Sequence, residues 1–154
     1  MAAYWLMKSE PSVYSIDHMA RDGKTYWDGV RNYQARNFMR DPMKPGDLAF
    51  FYHSNADPSG IAGVIKIASK GYPDPSAFGP RDIHYDPAST KEKPVWYTVD
   101  VNFVEKLRTF LPLERLRKTS GLESMALFRR SRLSVQPVAE KEWKIIRKLA
   151  ASGA

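Results

Sequence analysis

The feature that most constrains the fold is a near-continuous apolar run, Leu48–His53, with the sequence LAFFYH. A strand with one solvated face alternates apolar and polar residues, whereas an unbroken run is typical of a strand covered on both faces. The run follows a turn at 44–47 that contains Pro and Gly. A second strand is predicted at 61–67, where β-branched residues alternate. We therefore expect a sheet whose central part lies inside the protein.

A further strand is predicted at 95–103, because apolar and polar residues alternate there. Val95, Val99 and Phe103 then belong to the core face, and Trp96 belongs to the opposite face. The segment 71–94 is rich in Pro, Asp, Ser and Lys and predicts a long surface loop. Other patterns predict strands at 4–8, 25–27 and 132–136. One helix is predicted to begin after Ser12 or Ser15 and another after Asn32. Two further helices are predicted at 113–117 and 139–150. Short strands separated by helices predict an α+β protein built around a small mixed barrel.

Length and composition set the broad class. At 154 residues the chain fits one compact domain, which we expect to span residues 1–154. It contains no cysteine, no apolar stretch of the roughly 18 residues that a membrane span needs, and no signal-peptide pattern. We expect a cytoplasmic, monomeric protein without a membrane segment.

The charge distribution points to a polyanionic partner. The net charge is +7, and the two halves differ: residues 1–77 carry 9 basic and 8 acidic side chains, whereas residues 78–154 carry 15 and 9. A one-sided basic surface is typical of proteins that bind nucleic acid. A high isoelectric point without such a partner is the open alternative.

The segment 27–37, WDGVRNYQARN, carries the side chains best suited to recognition. Aromatic rings can stack on a base, asparagine amides can read a donor and acceptor edge, and arginine can pair with phosphate. This set suits a planar, polar, anionic ligand better than it suits carboxylate catalysis or metal binding.

Several blocks of this sequence resemble the EVE domain. They are WLMKSEP at 5–11, the segment 27–37, MKPGD at 43–47 followed by FYHS at 51–54, and RLSVQPV at 132–138. The blocks occur in the family's order, and the likeness runs from Tyr4 to about Leu149. The chain is thus identified as similar to the EVE domain over nearly its whole length.

The resemblance implies a PUA-like fold, a curved and mostly antiparallel β-barrel with helices at its edges. It also implies a relation to YTH domains, which capture a modified adenine of RNA in an aromatic cage. EVE domains are associated with modified bases, notably modified cytosines in DNA, and the family as such has no enzymatic activity. The expected partner is therefore nucleic acid, with no cofactor and no metal.

Two groups of site residues are predicted on this basis. The base pocket would contain Trp27, Asn32, Ser9, Lys8, Val30, Tyr33, Tyr52 and Ser54. The phosphate-binding residues would be Arg31, Arg36, Arg129, Arg130 and Arg132.

Each assignment has a structural alternative. Trp27 fits a hydrophobic core equally well by composition, and Asn32 can cap a helix. Tyr33 can pack inward from its helix. Arg31 and Arg36 can form surface ion pairs, and the arginines at 129–132 can form a solvated face.

A catalytic reading of His53, Ser54 and Asp57 is unattractive. Neighbouring residues on a strand point to opposite faces, and no nucleophile elbow surrounds Ser54. We expect a non-enzymatic module that captures a flipped, modified base, with modified cytosine in DNA as the first choice. The alternatives are an RNA reader of the YTH or PUA type, an enzyme that uses His53, Glu10 or Asp28, and a small-molecule sensor.

Overall fold

The computed structural model describes residues 3–152, and its centre is a curved six-stranded sheet. Its strands are β1 Tyr4–Ser9, β2 Lys24–Tyr26, β3 Leu48–His53, β4 Gly60–Ile67, β7 Asp100–Pro112 and β8 Val135–Val138. The strand order is β2-β7-β4-β3-β1-β8. All neighbours are antiparallel except β1 and β3, which are parallel. The protein is an α+β half-barrel, which confirms the predicted fold class.

Helices flank this sheet, and a small second sheet lies beside it. The small sheet pairs β5, Tyr72–Pro73, with β6, Tyr97–Thr98, and a 3-10 turn, Pro75–Ala77, follows β5. The helices are α1 Ile16–Asp22, α2 Tyr33–Arg40, α3 Leu113–Arg117, α4 Ala126–Arg129 and α5 Glu140–Ala151.

The buried strand β3 lies between β1 and β4 and has a core on each face, as its apolar run predicts. Phe51 belongs to the core that contains Trp27, here named the Trp27-side core. Phe50 and Tyr52 belong to a second core, named the Trp143-side core, where the rings of Phe50 and Trp143 stack at 4.0 Å. The alternation of side chains along β3 therefore separates two interiors.

Helix caps follow the sequence closely. The Ser15 hydroxyl accepts a hydrogen bond from the backbone N–H of His18 at 3.2 Å and begins α1. The Asn32 carbonyl oxygen accepts from the N–H of Ala35 at 2.9 Å and begins α2. Both side chains satisfy amides that the first turn of a helix leaves unpaired.

The strand predicted at 95–103 has the wrong bounds, and some of its side chains lie on a different face from the one predicted. The chain leaves β6 at Thr98, passes Val99 and enters β7, which continues to Pro112. Trp96, expected on the outer face, is buried, and its indole N–H donates to Asp86 at 2.6 Å. The alternation is real but spans two sheets, so its faces do not share one core.

Two other predictions change in detail. The strand expected at 132–136 is β8, Val135–Val138, and Pro137 lies inside it. Because β8 is an edge strand, the missing N–H of Pro137 is tolerated. The segment 71–94 is more than a surface loop, since it contributes β5, the 3-10 turn and the buried residues Asp74 and Ser76.

Candidate functional site

A cavity of about 290 Å³ opens where the ends of β1 and β2 approach the 71–94 segment. Its volume lies near the lower end of the roughly 300–1,000 Å³ that is typical of small-ligand sites. We name it the Trp27 cavity. It is lined by Ser9, Val13, Tyr14, Thr25, Tyr26, Trp27, Asp28 and His84. The lining combines aromatic rings with hydroxyl, carboxylate and imidazole groups, which can cover a planar ligand and hydrogen-bond its edge.

Trp27 is held rigidly in the wall of this cavity. It directly follows β2, its backbone N–H donates to the carbonyl of Val99 at 2.9 Å, and its own carbonyl accepts from the Thr98 hydroxyl at 2.7 Å. Its ring meets Phe51 edge to face, with centroids 5.4 Å apart. The indole is 7 % exposed. Trp27 thus serves both as a core residue and as a cavity wall, so the two alternatives for this side chain are compatible.

Ser9 and Tyr14 form a second wall. The Ser9 hydroxyl donates to the backbone carbonyl of Tyr14 at 2.6 Å. The Tyr14 hydroxyl donates to the carboxylate of Asp22 at 2.8 Å. Burial, followed by this hydrogen bond, raises the pKa of Tyr14 to about 12. Tyr14 is therefore a neutral phenol at physiological pH.

Asp28 and His84 complete the cavity on the side of the 71–94 segment. The His84 Nε2 lies 3.8 Å from a carboxylate oxygen of Asp28. Burial raises the pKa of Asp28, and the neighbouring His84 opposes that rise. The two side chains place an acceptor and a donor at one edge of the cavity.

A buried carboxylate docks the 71–94 segment against the turn that follows Trp27. Asp74 accepts hydrogen bonds from the N–H of Gly29 at 2.9 Å and from the guanidinium of Arg31 at 3.1 Å. The N–H and hydroxyl of Ser76 donate to its other oxygen. Burial alone would raise the pKa of Asp74, but these hydrogen bonds outweigh it and lower the pKa below its ordinary value. The carboxylate is therefore charged, and each of its two oxygens accepts two hydrogen bonds.

Arg31 belongs to this docking network, and its predicted role as a phosphate ligand stays a prediction. Besides Asp74, its guanidinium donates to the backbone carbonyl of His84 at 2.7 Å and to that of Val30 at 2.9 Å. It also lies over the Trp96 ring at 5.3 Å. An arginine with this many internal partners positions the segment that carries His84.

The predicted base-pocket residues do not lie together. Of that group, Ser9 and Trp27 line the Trp27 cavity. Lys8 and Tyr52 face the opposite side of the sheet: the Lys8 ammonium lies 5.7 Å from the centroid of the Tyr52 ring, and Tyr52 is in the Trp143-side core. The cause is the two-residue period of β1, which turns Lys8 away from the face that Ser9 occupies.

Val30 and Ser54 are also displaced from the predicted grouping. Val30 is buried in the Trp27-side core and is not among the residues that line the cavity. The backbone N–H of Ser54 donates to the carbonyl of Ser9 at 3.0 Å. Ser54 thus supports the cavity through its backbone and is not among the lining side chains.

Asn32 lines a separate surface depression of about 270 Å³, with Gln34 and residues 130–133. Arg130 and Arg132 line it and are exposed, and Arg130 hydrogen-bonds the Gln34 side chain. Arg129, the chain neighbour of Arg130, is exposed as well. We name these three arginines the arginine strip. Of the predicted phosphate-binding arginines at 129–132, Arg130 and Arg132 therefore lie beside Asn32, and none of the three lines the Trp27 cavity.

Tyr33 forms a surface aromatic pair in place of a cavity wall. It is 61 % exposed, and its ring stacks on Trp96 with centroids 5.0 Å apart. Arg36 lies over the Tyr33 ring at 4.9 Å and donates to the Val95 carbonyl at 2.9 Å. Tyr33 and Arg36 therefore tie α2 to the chain before β6.

His53 has a structural contact of its own. Its Nε2 accepts from the backbone N–H of Ile16 at 3.1 Å, at the start of α1. Burial lowers the pKa of His53, which favours the neutral ring that can accept this bond.

Within residues 3–152, no cluster of His, Asp, Glu or Cys side chains is arranged to hold a metal ion. No helix in the same range is long and apolar enough to cross a membrane.

Sequence reasoning missed part of the cavity. The sequence predicts none of Val13, Tyr14, Thr25, Tyr26 and His84 for the pocket, and it suggests Asp28 only as a carboxylate of the enzyme alternative. The signal for Asp28 was its position directly after Trp27. For His84 the length of the 71–94 segment indicated function but named no residue.

Comparisons with known proteins identify the relatives of this chain. The EVE domain family matches residues 3–149. Thymocyte nuclear protein 1 of Homo sapiens is 44% identical over an alignment of 165 positions, which covers 95% of this chain and 73% of that protein.

Solved structures agree with this relationship. A hypothetical protein from Leishmania major has a TM-score of 0.95 and 44% identity, covering 99% of this chain and 96% of its own. Human THYN1 protein, solved in complex with 5-methylcytosine containing DNA, has a TM-score of 0.90 and 44% identity, covering 97% and 98%.

Proposed function

Because the chain belongs to the EVE domain family, we propose that it is a non-enzymatic DNA-binding module that holds a flipped, modified cytosine in the Trp27 cavity. The observation that carries the proposal is the position of Trp27, a rigid aromatic wall beside hydrogen-bonding groups in a cavity of about 290 Å³. The human relative solved with 5-methylcytosine DNA supports the choice of ligand.

The free energy of binding should favour a modified base over an unmodified one. Flipping a nucleotide out of a duplex costs a few kcal/mol of stacking and pairing. Stacking on an aromatic side chain returns roughly 1–3 kcal/mol. The 5-methyl group adds apolar surface, worth about 0.8 kcal/mol when it is buried, against the cavity wall. Recognition then depends on contacts made after flipping, which the cavity supplies.

The DNA backbone would follow the side of the sheet that carries the arginine strip. The Lys8 ammonium lies beside the strip and donates to the Ser131 carbonyl at 2.7 Å, whereas its chain neighbour Ser9 lines the cavity on the other face of β1. Phosphate contacts by exposed arginines give sequence-independent, salt-sensitive affinity. The strip would hold the DNA while the cavity selects the base.

Binding of a labelled duplex tests the proposal. The wild-type protein should bind a duplex with one 5-methylcytosine about fourfold more tightly than the same unmodified duplex, which is what about 0.8 kcal/mol from the buried methyl group gives. Trp27→Leu keeps an apolar side chain but removes the stacking face, so it should lose this preference and retain weak salt-sensitive binding. Trp143→Leu, a similarly buried tryptophan of the other core, is the matched control and should retain the preference.

Two outcomes would contradict the proposal. If Trp27→Leu and Trp143→Leu lose the preference for the modified duplex equally, the loss would come from a less stable fold and not from the missing stacking face. Tighter binding of an RNA strand with the same modified base would favour the RNA-reader alternative. A cytoplasmic location and a monomeric state stay predictions, and the name of the human relative associates that protein with the nucleus.

A further inference from the structure

We infer that Asp28 and His84 determine which base the Trp27 cavity accepts, by hydrogen-bonding the Watson–Crick edge of cytosine. This inference rests on the proposed function, and it assigns base identity to two side chains that stacking on Trp27 does not involve. Stacking is tolerant of base identity because every base has an aromatic face. A cavity that selects cytosine therefore needs polar groups at its edge.

The two side chains are available for a ligand. Asp28 is 47% exposed and His84 is 35% exposed, and both line the cavity. Their closest polar approach to each other is 3.8 Å, which is longer than a hydrogen bond. In the described part of the chain, no hydrogen bond joins either side chain to another residue. The carboxylate and imidazole thus retain hydrogen-bonding capacity beside a wall suited to stacking.

Their chemistry matches cytosine and opposes thymine. Cytosine presents an amino donor at N4, and a carboxylate is the side-chain acceptor that pairs with it. An imidazole N–H can donate to the N3 or O2 acceptors of the same edge. Thymine places a carbonyl oxygen at position 4, so the Asp28 carboxylate would face another acceptor. Leaving partly desolvated polar groups unpaired is what rejects such a ligand.

The surrounding backbone fixes the pair before any ligand arrives. Asp28 is next to Trp27, whose backbone is bonded on both sides. The His84 ring lies against Gly29, where a Cβ would come within 2.5 Å of the ring. The Arg31 guanidinium holds the His84 carbonyl at 2.7 Å. Such a fixed arrangement lowers the ordering cost of binding.

Burial agrees with this role for the carboxylate. The raised pKa of Asp28 reflects partial removal of water from its oxygens. An N–H donor from a ligand would replace that lost hydration. The carboxylate therefore gains more from a cytosine amino group than a fully solvated carboxylate would.

Single-stranded oligonucleotides that differ only in one central base test the inference. The probes carry 5-methylcytosine, cytosine or thymine, so that 5-methylcytosine and thymine share ring size and methyl group and differ in their edge. The wild-type protein should bind the 5-methylcytosine strand about tenfold or more above the thymine strand. Asp28→Ala should reduce that ratio to about twofold or less. Asp41→Ala removes an equally negative, exposed side chain on the far end of α2 and should leave the ratio unchanged.

The outcomes separate this inference from the proposed function. If the wild-type protein prefers 5-methylcytosine to cytosine and Asp28→Ala keeps the full discrimination against thymine, the proposed function stands and this inference is overturned. Equal wild-type binding of the 5-methylcytosine and thymine strands also overturns it, because the methyl group alone would then be read. If the wild-type protein ignores all three base identities, both fail. A thermal melt of each variant confirms that it is folded.

Discussion

Asp74 accepts a hydrogen bond from the backbone N–H of Gly29 at 2.9 Å, although the two residues are 45 positions apart in the chain. This contact joins the 71–94 segment to the turn directly after Trp27 and Asp28. The cavity is therefore assembled from two regions that only tertiary structure brings together.

Replacing Asp74 by asparagine should destabilise the protein by about 3 kcal/mol. The change breaks a buried ion pair, and it places the NH2 group of the asparagine side chain against N–H and O–H groups that are themselves donors. Four hydrogen bonds to the carboxylate would be weakened or lost. Urea denaturation at neutral pH measures the free energy of unfolding. Glu92→Gln, an exposed acid on the same segment, is the control. A loss below about 1 kcal/mol for Asp74→Asn would show that the network contributes little.

Gly29→Ala should weaken base recognition as well as stability. Gly29 has φ 76, which costs an alanine about 1–2 kcal/mol, and the added Cβ would collide with the His84 ring. Gly23→Ala is a matched control, because Gly23 has φ 75 and a Cβ there meets nothing within 4 Å. Both variants should lose similar stability from backbone strain. Only Gly29→Ala should also lower affinity for a 5-methylcytosine strand, and equal affinities would count against His84 as a reader.

Local chemistry explains the parts of the structure that the sequence predicts well. The run at 48–53 implies a strand covered on both faces, and Phe50 and Phe51 are buried in different cores. Ser15 and Asn32 cap helices because their side chains accept hydrogen bonds from amides three residues further along the chain. These features depend on near neighbours, so spacing alone reveals them.

The site is less predictable because it depends on register and on long-range contacts. Lys8 and Ser9 are adjacent in the chain but face opposite sides of β1, so a motif that contains both does not form one wall. Tyr52 is separated from the Trp27 cavity by the same rule. His84 reaches the cavity only through the contacts of Asp74 and Arg31, which no local pattern encodes.

Stability should fall in acid partly through Asp47. Burial alone would raise the pKa of this carboxyl, but hydrogen bonds from the Trp5 indole, the Ala3 N–H and Lys44 outweigh burial and lower its pKa. The folded state then binds the proton less readily than the unfolded state, whose aspartate pKa is about 3.9. The contribution of Asp47 is therefore complete well above pH 4 and is lost as the pH falls through the lowered folded pKa.

Asp47→Asn should accordingly show a smaller loss of stability between pH 6 and pH 3 than the wild-type protein. Urea denaturation at several pH values across that range measures the difference. Glu92→Gln should keep the wild-type profile. Parallel profiles for Asp47→Asn and the wild type would show that other carboxyls account for the acid sensitivity.

The arginine strip should control the salt dependence of DNA binding without controlling base preference. Each phosphate contact on duplex DNA contributes a slope of about 0.9 to the dependence of log affinity on log salt. Replacing Arg129, Arg130 and Arg132 together by glutamine should therefore lower the slope by about 2 to 3. The ratio of affinities for the modified and unmodified duplexes should stay the same, because the strip lies outside the Trp27 cavity.

The matched control replaces three exposed lysines of α5 by glutamine and so removes the same charge: Lys141, Lys144 and Lys148. Helix α5 packs on the Trp143-side core. A slope that falls equally in both triple variants would mean that net charge, and not the strip, sets the affinity for the backbone.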